Sequence, residues 1–309
     1  MSYLNFRRAQ AAGPETGTRI ATFLADYSIE VMPRTADAIP NLREVLPAGT
    51  RVYIAQVGDT PITDMVVTAA RLRREGFEPT PHFPARLIRD RATLADWVAR
   101  YRGEADLRQA LLIGGGLTNP SGDFDNSMQL LGTGLFDGFE RLHVAGHPEG
   151  NRDIDPDDSD RNVMAALRWK QAFAERSDAR MAVVTQFAFE SAPVIAWADR
   201  LAAEGIALPI HIGIAGPAKL QTLIRFAIAC GVGPSLRVLQ RRARDVTRLV
   251  RPFEPTEIVT ELAAHKARHP GFGIEAVHLF PLGGVRASAE WAARHGGAAA
   301  QSARAKDIQ

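Results

Sequence analysis

Met181-Ala182-Val183-Val184-Thr185-Gln186-Phe187 is apolar almost without interruption, and after a helical pattern the chain repeats the type at Pro209–Ile214. A strand with one solvated face alternates apolar and polar residues. A continuous run is buried on both faces, as in a parallel sheet covered by helices. Working outward, the same kind of run occurs at Tyr27–Val31, Val52–Val57, Glu78–Phe83, Ala110–Gly114, Leu142–Gly146 and Ala276–Phe280. Each stops near a polar or glycine residue, and the gaps hold at least one crossover helix. Eight such units predict an α/β protein folded as a (β/α)8, or TIM, barrel, with its chemistry at the carboxyl ends of the strands. That places Glu30, Gln56, His82, Gly114, Gly115, Gly116, His147, Gln186, Gly213 and Gly283 in the informative positions.

Composition agrees with one domain over residues 1–309. The chain has 309 residues, 46% of them hydrophobic, and one barrel needs about 250. A formal charge of +2, from 37 basic and 35 acidic residues, is too small for a general polyanion binder, so nucleic acid is not an expected partner. No run approaches the ~20 apolar residues of a membrane helix, and no apolar segment follows the arginines of residues 1–17. One cysteine, Cys230, forms no internal disulfide and reads as a small core residue. Together these features predict a cytoplasmic protein without a membrane partner.

Helix punctuation falls where the barrel requires it. Asp64 precedes Met65–Glu75 and Gly76 closes it, an acidic start and a glycine stop. In Thr93–Tyr101 the apolar Leu94, Trp97, Val98 and Tyr101 recur at helical spacing. Pro217 opens a helix over Leu220–Cys230, and two further helical patterns, Leu236–Arg251 and Thr256–His269, lengthen the connection between strands seven and eight. Residues 1–20 read as an N-terminal extension and 295–309 as a flexible tail.

At the strand ends, Glu30 lies in Ser28-Ile29-Glu30-Val31-Met32-Pro33. Apolar surroundings raise a carboxyl pKa toward what a general acid needs; the alternative is an interior glutamate held by a neighbouring basic group. His82, His147, His211 and His278 fall near strand ends, but a close histidine pair on an early strand is missing, so no metal site is expected. Asp153–Asp160 resembles a calcium loop, yet lacks its glycine and closing glutamate, and reads as a lid and helix cap for Asn162–Phe173. Glycines at 114–116, 213 and 216 allow backbone amides to approach a phosphate-bearing ligand, and Lys170 is either a phosphate partner or a surface lysine. No dinucleotide fingerprint follows the first strand.

Several segments, taken in order, resemble the methylenetetrahydrofolate reductase family. They are Ser28-Ile29-Glu30-Val31-Met32-Pro33-Arg34-Thr35, Pro81-His82, Val144-Ala145-Gly146-His147-Pro148-Glu149, Leu167-Arg168-Trp169-Lys170 and Thr185-Gln186-Phe187-Ala188-Phe189. The resemblance spans about Tyr27 to Leu282. It implies an enzyme in which NADH or NADPH reduces FAD, leaves, and is replaced by 5,10-methylenetetrahydrofolate, giving 5-methyltetrahydrofolate. Glu30 then matches the acid that assists opening of the folate ring, Gln186 the amide that contacts the pterin, and Leu220 a position lining the shared substrate site. Gln56, His82, Gly114, Gly115, Gly116, Asn126, Ala145, His147, Asn151 and Lys170 fall where the family contacts FAD.

The chain also departs from that pattern. Gly114-Gly115-Gly116 stands where the family commonly carries Arg-Gly-Asp, Asn126 where an aromatic is usual, and Leu282-Gly283-Gly284 where an Asn-Arg pair closes the last strand. Asp123 is a candidate replacement for the missing carboxylate. A tetrahydrofolate-dependent methyl-group transferase and a non-catalytic pterin- or flavin-binding protein are therefore alternative expectations. Arg237, Arg241, Arg244, Arg248 and Arg251 share a helical face, either a solvated surface or a landing site for a polyglutamyl tail. No ribose-reading motif selects NADH over NADPH, and the oligomeric state, a homo-oligomer included, stays open.

Overall fold

A computed structural model describes residues 14–229, 239–240 and 252–297. Eight parallel strands close into a barrel in simple sequential order. They are β1 Ser28–Val31, β2 Arg51–Ile54, β3 Glu78–Pro84, β4 Gln109–Ile113, β5 Arg141–Gly146, β6 Arg180–Ala188, β7 Ile210–Ala215 and β8 Ile274–Phe280. Every expected strand is present, shifted at its ends by a few residues. Ring closure is the pairing of β1 with β8, Ser28 opposite His278 and Ile29 opposite Leu279.

The outer ring consists of α1 Pro14–Phe23, α2 Pro33–Asp37, α3 Ile62–Arg74, α4 Arg91–Ala105, α5 Ser127–Leu131, α6 Arg161–Ala174, α7 Ser191–Ala203, α8 Leu220–Ala229, α9 Thr256–Arg268 and α10 Val285–Arg294. The main core lies between strands and helices. Ile29, Val52, Ile54, Leu112, Val144, Val183 and Ile212 face outward into it, against Leu72, Tyr101, Leu167 and Leu201 from the helices. In α4 the expected apolar stripe is buried, and Asp90 caps the helix by accepting from Thr93 N at 2.7 Å.

Three boundary expectations change. α3 begins at Ile62 after Pro61, so Asp64 lies in its first turn rather than capping it; proline supplies the extended entry that an acidic cap would have. Residues 14–20 are not an appendage, because α1 packs on α9 and buries Ile20, Phe23 and Leu24. The first three residues of the expected tail, 295–297, are packed as well. Gly296, at φ +90°, lies so close to Ala21 that a Cβ would meet its methyl at 2.5 Å. Cys230, the pattern Leu236–Arg251 as a helix, and its arginine stripe lie outside the described residues, whereas Thr256–His269 is α9.

On β6 the register slips between Val184 and Phe187. The slip brings the carbonyls of Thr185 and Gln186 against β7, where a Cβ on Gly213 would lie 2.5 and 2.6 Å from those two oxygens. Thr185 Oγ1 accepts from Gly213 N at 2.8 Å. Glycine is thus required by close approach of backbone, not by a ligand. Since backbone oxygens cannot rotate away, Gly213→Ala should cost about 1–3 kcal/mol of stability, read as a lower urea midpoint with an unchanged slope.

Candidate functional site

Side chains alternate across a strand, so with Ile29 and Val31 packed outward, Ser28 and Glu30 face the barrel interior. Glu30 reaches the carboxyl rim between two histidines. Its Oε2 is 3.4 Å from His82 Nε2 and 3.8 Å from His278 Nε2. Ser28 holds the second of these, with Oγ 2.9 Å from His278 Nδ1; if the hydroxyl donates, the Nε2 proton of His278 faces Glu30. Tyr53 packs edge-on against His278 at 4.6 Å between ring centres.

The charge state of Glu30 fits the second of its two readings, an interior glutamate held by neighbouring basic groups, and corrects the first, a carboxyl raised by apolar surroundings. Burial pushes its carboxyl upward, but the imidazoles of His278 and His82 outweigh burial and hold it below the usual range. The apolar neighbours in sequence, Ile29 and Val31, point away from it. Burial lowers His82 despite the adjacent carboxylate. Glu30 is therefore an ionised carboxylate at neutral pH, next to a neutral His82. His82 Nε2, His278 Nε2 and, past the end of β2, Gln56 Oε1 are buried without a protein hydrogen-bond partner. Buried polar atoms are ordinarily satisfied; the two imidazole nitrogens have the Glu30 carboxylate as their nearest charged neighbour, and Gln56 Oε1 is an acceptor that a ligand at this rim could satisfy. Gln56 Nε2 donates to Thr60 O at 3.3 Å.

An apolar wall stands on the β6–β8 side. Phe187, Phe189, Ala215, Leu220 and Leu223 form a second buried cluster, with Phe253, Phe280 and Leu282 packed on it. The rings follow one another edge to face: Phe189–Phe253 5.3 Å, Phe187–Phe189 5.7 Å, Phe187–Phe280 5.5 Å and Phe280–His278 4.7 Å. Leu220, expected to line the substrate site, belongs to this wall, and Gln186 lies in the register slip beneath it. The four phenylalanines were not singled out from sequence. Phe187-Ala188-Phe189 at a strand end was a usable signal; Phe253, distant in the chain, gave none.

The β5 end carries His147 and Asn151, in contact at 3.4 Å between His147 Nδ1 and Asn151 Nδ2. Asn151 Oδ1 also accepts from Asp153 N at 2.9 Å. Lys170 is no surface lysine: it is buried on the inner side of α6 and donates to Ala145 O at 3.1 Å. Burial lowers its ammonium to about 8, and burial beside Lys170 lowers His147 to about 4. The acidic loop does cap α6, through Asp155, whose carboxylate accepts from Asn162 N and Val163 N, each at 2.9 Å.

After β4 the glycines play different parts. Gly115, at φ +97°, sits 3.1 Å by its would-be Cβ from Pro84 Cβ, whereas a Cβ on Gly116 would enter open space. Gly114 O accepts from Arg86 N at 2.9 Å, and the Arg86 guanidinium pairs with Asp125 at 2.9 Å and reaches Leu117 O at 2.8 Å. Asn126 Oδ1 is occupied as the cap of α5, accepting from Met128 N and Gln129 N. Asp123 is exposed, its amide bonded to Arg89 O. His211 is not at the rim: it is the second residue of β7, turned toward the amino end, 3.4 Å from Glu275. Among the described residues no group of three or more His, Cys, Asp or Glu is placed to hold a metal ion, and no helix is long and apolar enough to cross a membrane.

No family model matches the chain. Among solved structures, it is similar to an uncharacterized protein from Clostridium thermocellum that binds two copies of 5-methyl-5,6,7,8-tetrahydrofolic acid. The likeness has a TM-score of 0.59 and 9% identity, and covers 91% of this chain and 98% of that one. At that identity it establishes a shared fold.

The buried ammonium has a measurable signature. A lysine lowered from 10.5 to about 8 in the fold binds fewer protons folded than unfolded across that window, so its contribution to stability rises with pH there. Relative to Lys170→Met, the wild type should gain on the order of 3 kcal/mol between pH 7 and 11, measured by urea unfolding at several pH values. A difference that is flat with pH would mean the ammonium is solvated.

Proposed function

We propose that the carboxyl rim binds a tetrahydrofolate and that the chain is a flavin-dependent methylenetetrahydrofolate reductase, converting 5,10-methylenetetrahydrofolate to 5-methyltetrahydrofolate with NADH or NADPH. The observation that carries this reading is Glu30, fixed between His82 and His278, with the buried, unpartnered Gln56 Oε1 at the same rim and an aromatic wall at its side. A flat pterin has the matching chemistry, a ring face for the wall and an edge of donors and acceptors for Gln56, Gln186 and the imidazoles. The folate bound by the Clostridium thermocellum protein of the same fold supports the ligand class.

The residues present also suit FAD. Lys170, buried and spending one bond on Ala145 O, with His147 and Asn151 beside the same strand end, would hold the pyrophosphate arm. Gln56, His82 and the turn Gly114-Gly115-Gly116 would border the ring, with backbone in place of the family's Arg and Asp. When bound, FAD supplies hydride transfer between the nicotinamide and the folate. The protein's own part is charge and proton management. An ionised Glu30 would stabilise the cationic iminium formed when the folate ring opens, and a proton taken up by the Glu30 carboxylate beforehand would make it the acid. The acid is thus Glu30, positioned by His82 and His278.

A tetrahydrofolate-dependent methyl transfer on the same rim is the second reading, favoured by the open space where a carboxylate would stand at Gly116. A non-catalytic pterin- or flavin-binding protein is the third. Purified protein given FAD should absorb near ~450 nm and bleach anaerobically with NADH or NADPH. Folate binding without bleaching would favour the transferase, and binding without any turnover the binder. Glu30→Gln should leave flavin reduction within about twofold of wild type and lower methylenetetrahydrofolate reduction by at least about a hundredfold, measured by stopped flow. Equal loss in both half-reactions would remove Glu30 from the proton-transfer role.

A further inference from the structure

Barrel interiors are ordinarily filled by Val, Ile and Leu, and here Tyr53, Leu111 and Val184 are joined by His143, His211 and His278. Burying so many polar rings is costly unless they are bonded or used. Their contacts form a file along the barrel axis. At the amino end, Glu275, 63% exposed, is 3.4 Å from His211 Nε2. The His211 ring lies edge-on to His143 at 4.9 Å. His143 Nδ1 is hydrogen-bonded to the Tyr53 hydroxyl, the Tyr53 ring packs on His278 at 4.6 Å, and His278 faces Glu30.

We propose that this file is a proton relay, joining solvent at the amino end of the barrel, through Glu275, His211, His143, Tyr53 and His278, to Glu30 at the carboxyl rim. Each imidazole and the phenol both donate and accept, so a proton taken up at Glu275 displaces one at every following group and one is delivered to Glu30. Solvent loses one proton, Glu30 gains one, and no other reactant is needed. Two links are ring contacts: His211 to His143, where a ring nitrogen is unengaged, and Tyr53 to His278, where the Tyr53 hydroxyl is bonded to His143 and His278 Nδ1 to Ser28. His211 Nδ1 has no partner; nor does the hydroxyl of Thr80, which pairs in register with Tyr53 and shares the face of β3 that bears His82. Rotation of the His211 imidazole about its last torsion would turn the first contact into a hydrogen bond, and at the second the Tyr53 hydroxyl would have to exchange His143 for His278. The relay's use rests on the reductase reading, in which Glu30 must be reprotonated while a ligand covers the rim.

The test is independent of flavin and folate. Solvent exchange of the His278 imidazole proton is measured by 15N NMR in protein carrying Glu30→Gln, which removes the carboxylate route through the rim. Adding Glu275→Gln, His143→Gln or Tyr53→Phe should slow exchange by about tenfold or more. Unchanged exchange in these folded double variants overturns the relay. Glu275 is exposed, so its variant decides the matter if a core change prevents folding. Slowed exchange in the double variants, with no flavin or folate turnover by the wild-type protein, would sink the reductase reading alone, and normal wild-type turnover with unaltered exchange in the double variants would sink the relay alone.

Discussion

The contact of one carboxylate with two imidazoles inside an apolar scaffold governs the chemistry available to this protein. A lone glutamate in such a place would hold a proton at neutral pH, since desolvation penalises the charge. His278 and His82 reverse that outcome. The arrangement depends on strand closure: Ser28 and His278 are register partners across the β1–β8 seam, so the bond that orients His278 exists only in the closed ring. His82 comes from the third strand. The seam thus serves the fold and the site together.

Around that contact the rim divides by material. One side is aromatic and aliphatic, built on β6, β7 and α8. Beside it, β5 and α6 supply amide, imidazole and a buried ammonium. Across the barrel the turns after β3 and β4 are braced by Arg86 and Asp125, leaving backbone and open space near Gly116.

Much of the barrel was legible from sequence because strands buried on both faces leave a continuous apolar trace, and the eight runs reappear as β1–β8. Glu30, His82, His147 and Gln186 were equally legible as strand-end residues, and they all lie toward the carboxyl ends of their strands. Lys170 was ambiguous, since a helix periodicity gives no sign of which polar side chain tucks inward over a strand end. His143 and Tyr53 were overlooked for a related reason. A polar residue in mid-strand looks like a solvated face until the sheet curls on itself.

The sequence by itself determined the element order, the parallel sheet and which strand ends meet, because those follow from hydrophobic period and crossover length. Only the tertiary structure decided the protonation of Glu30, the burial of Lys170, the aromatic wall and the file of rings through the core. Each depends on side chains brought together from strands and loops far apart in the chain, such as Ser28 and His278 or Phe189 and Phe253. Electrostatic and packing energies act over a few ångströms of space, and a linear pattern does not encode such distances until the barrel has closed.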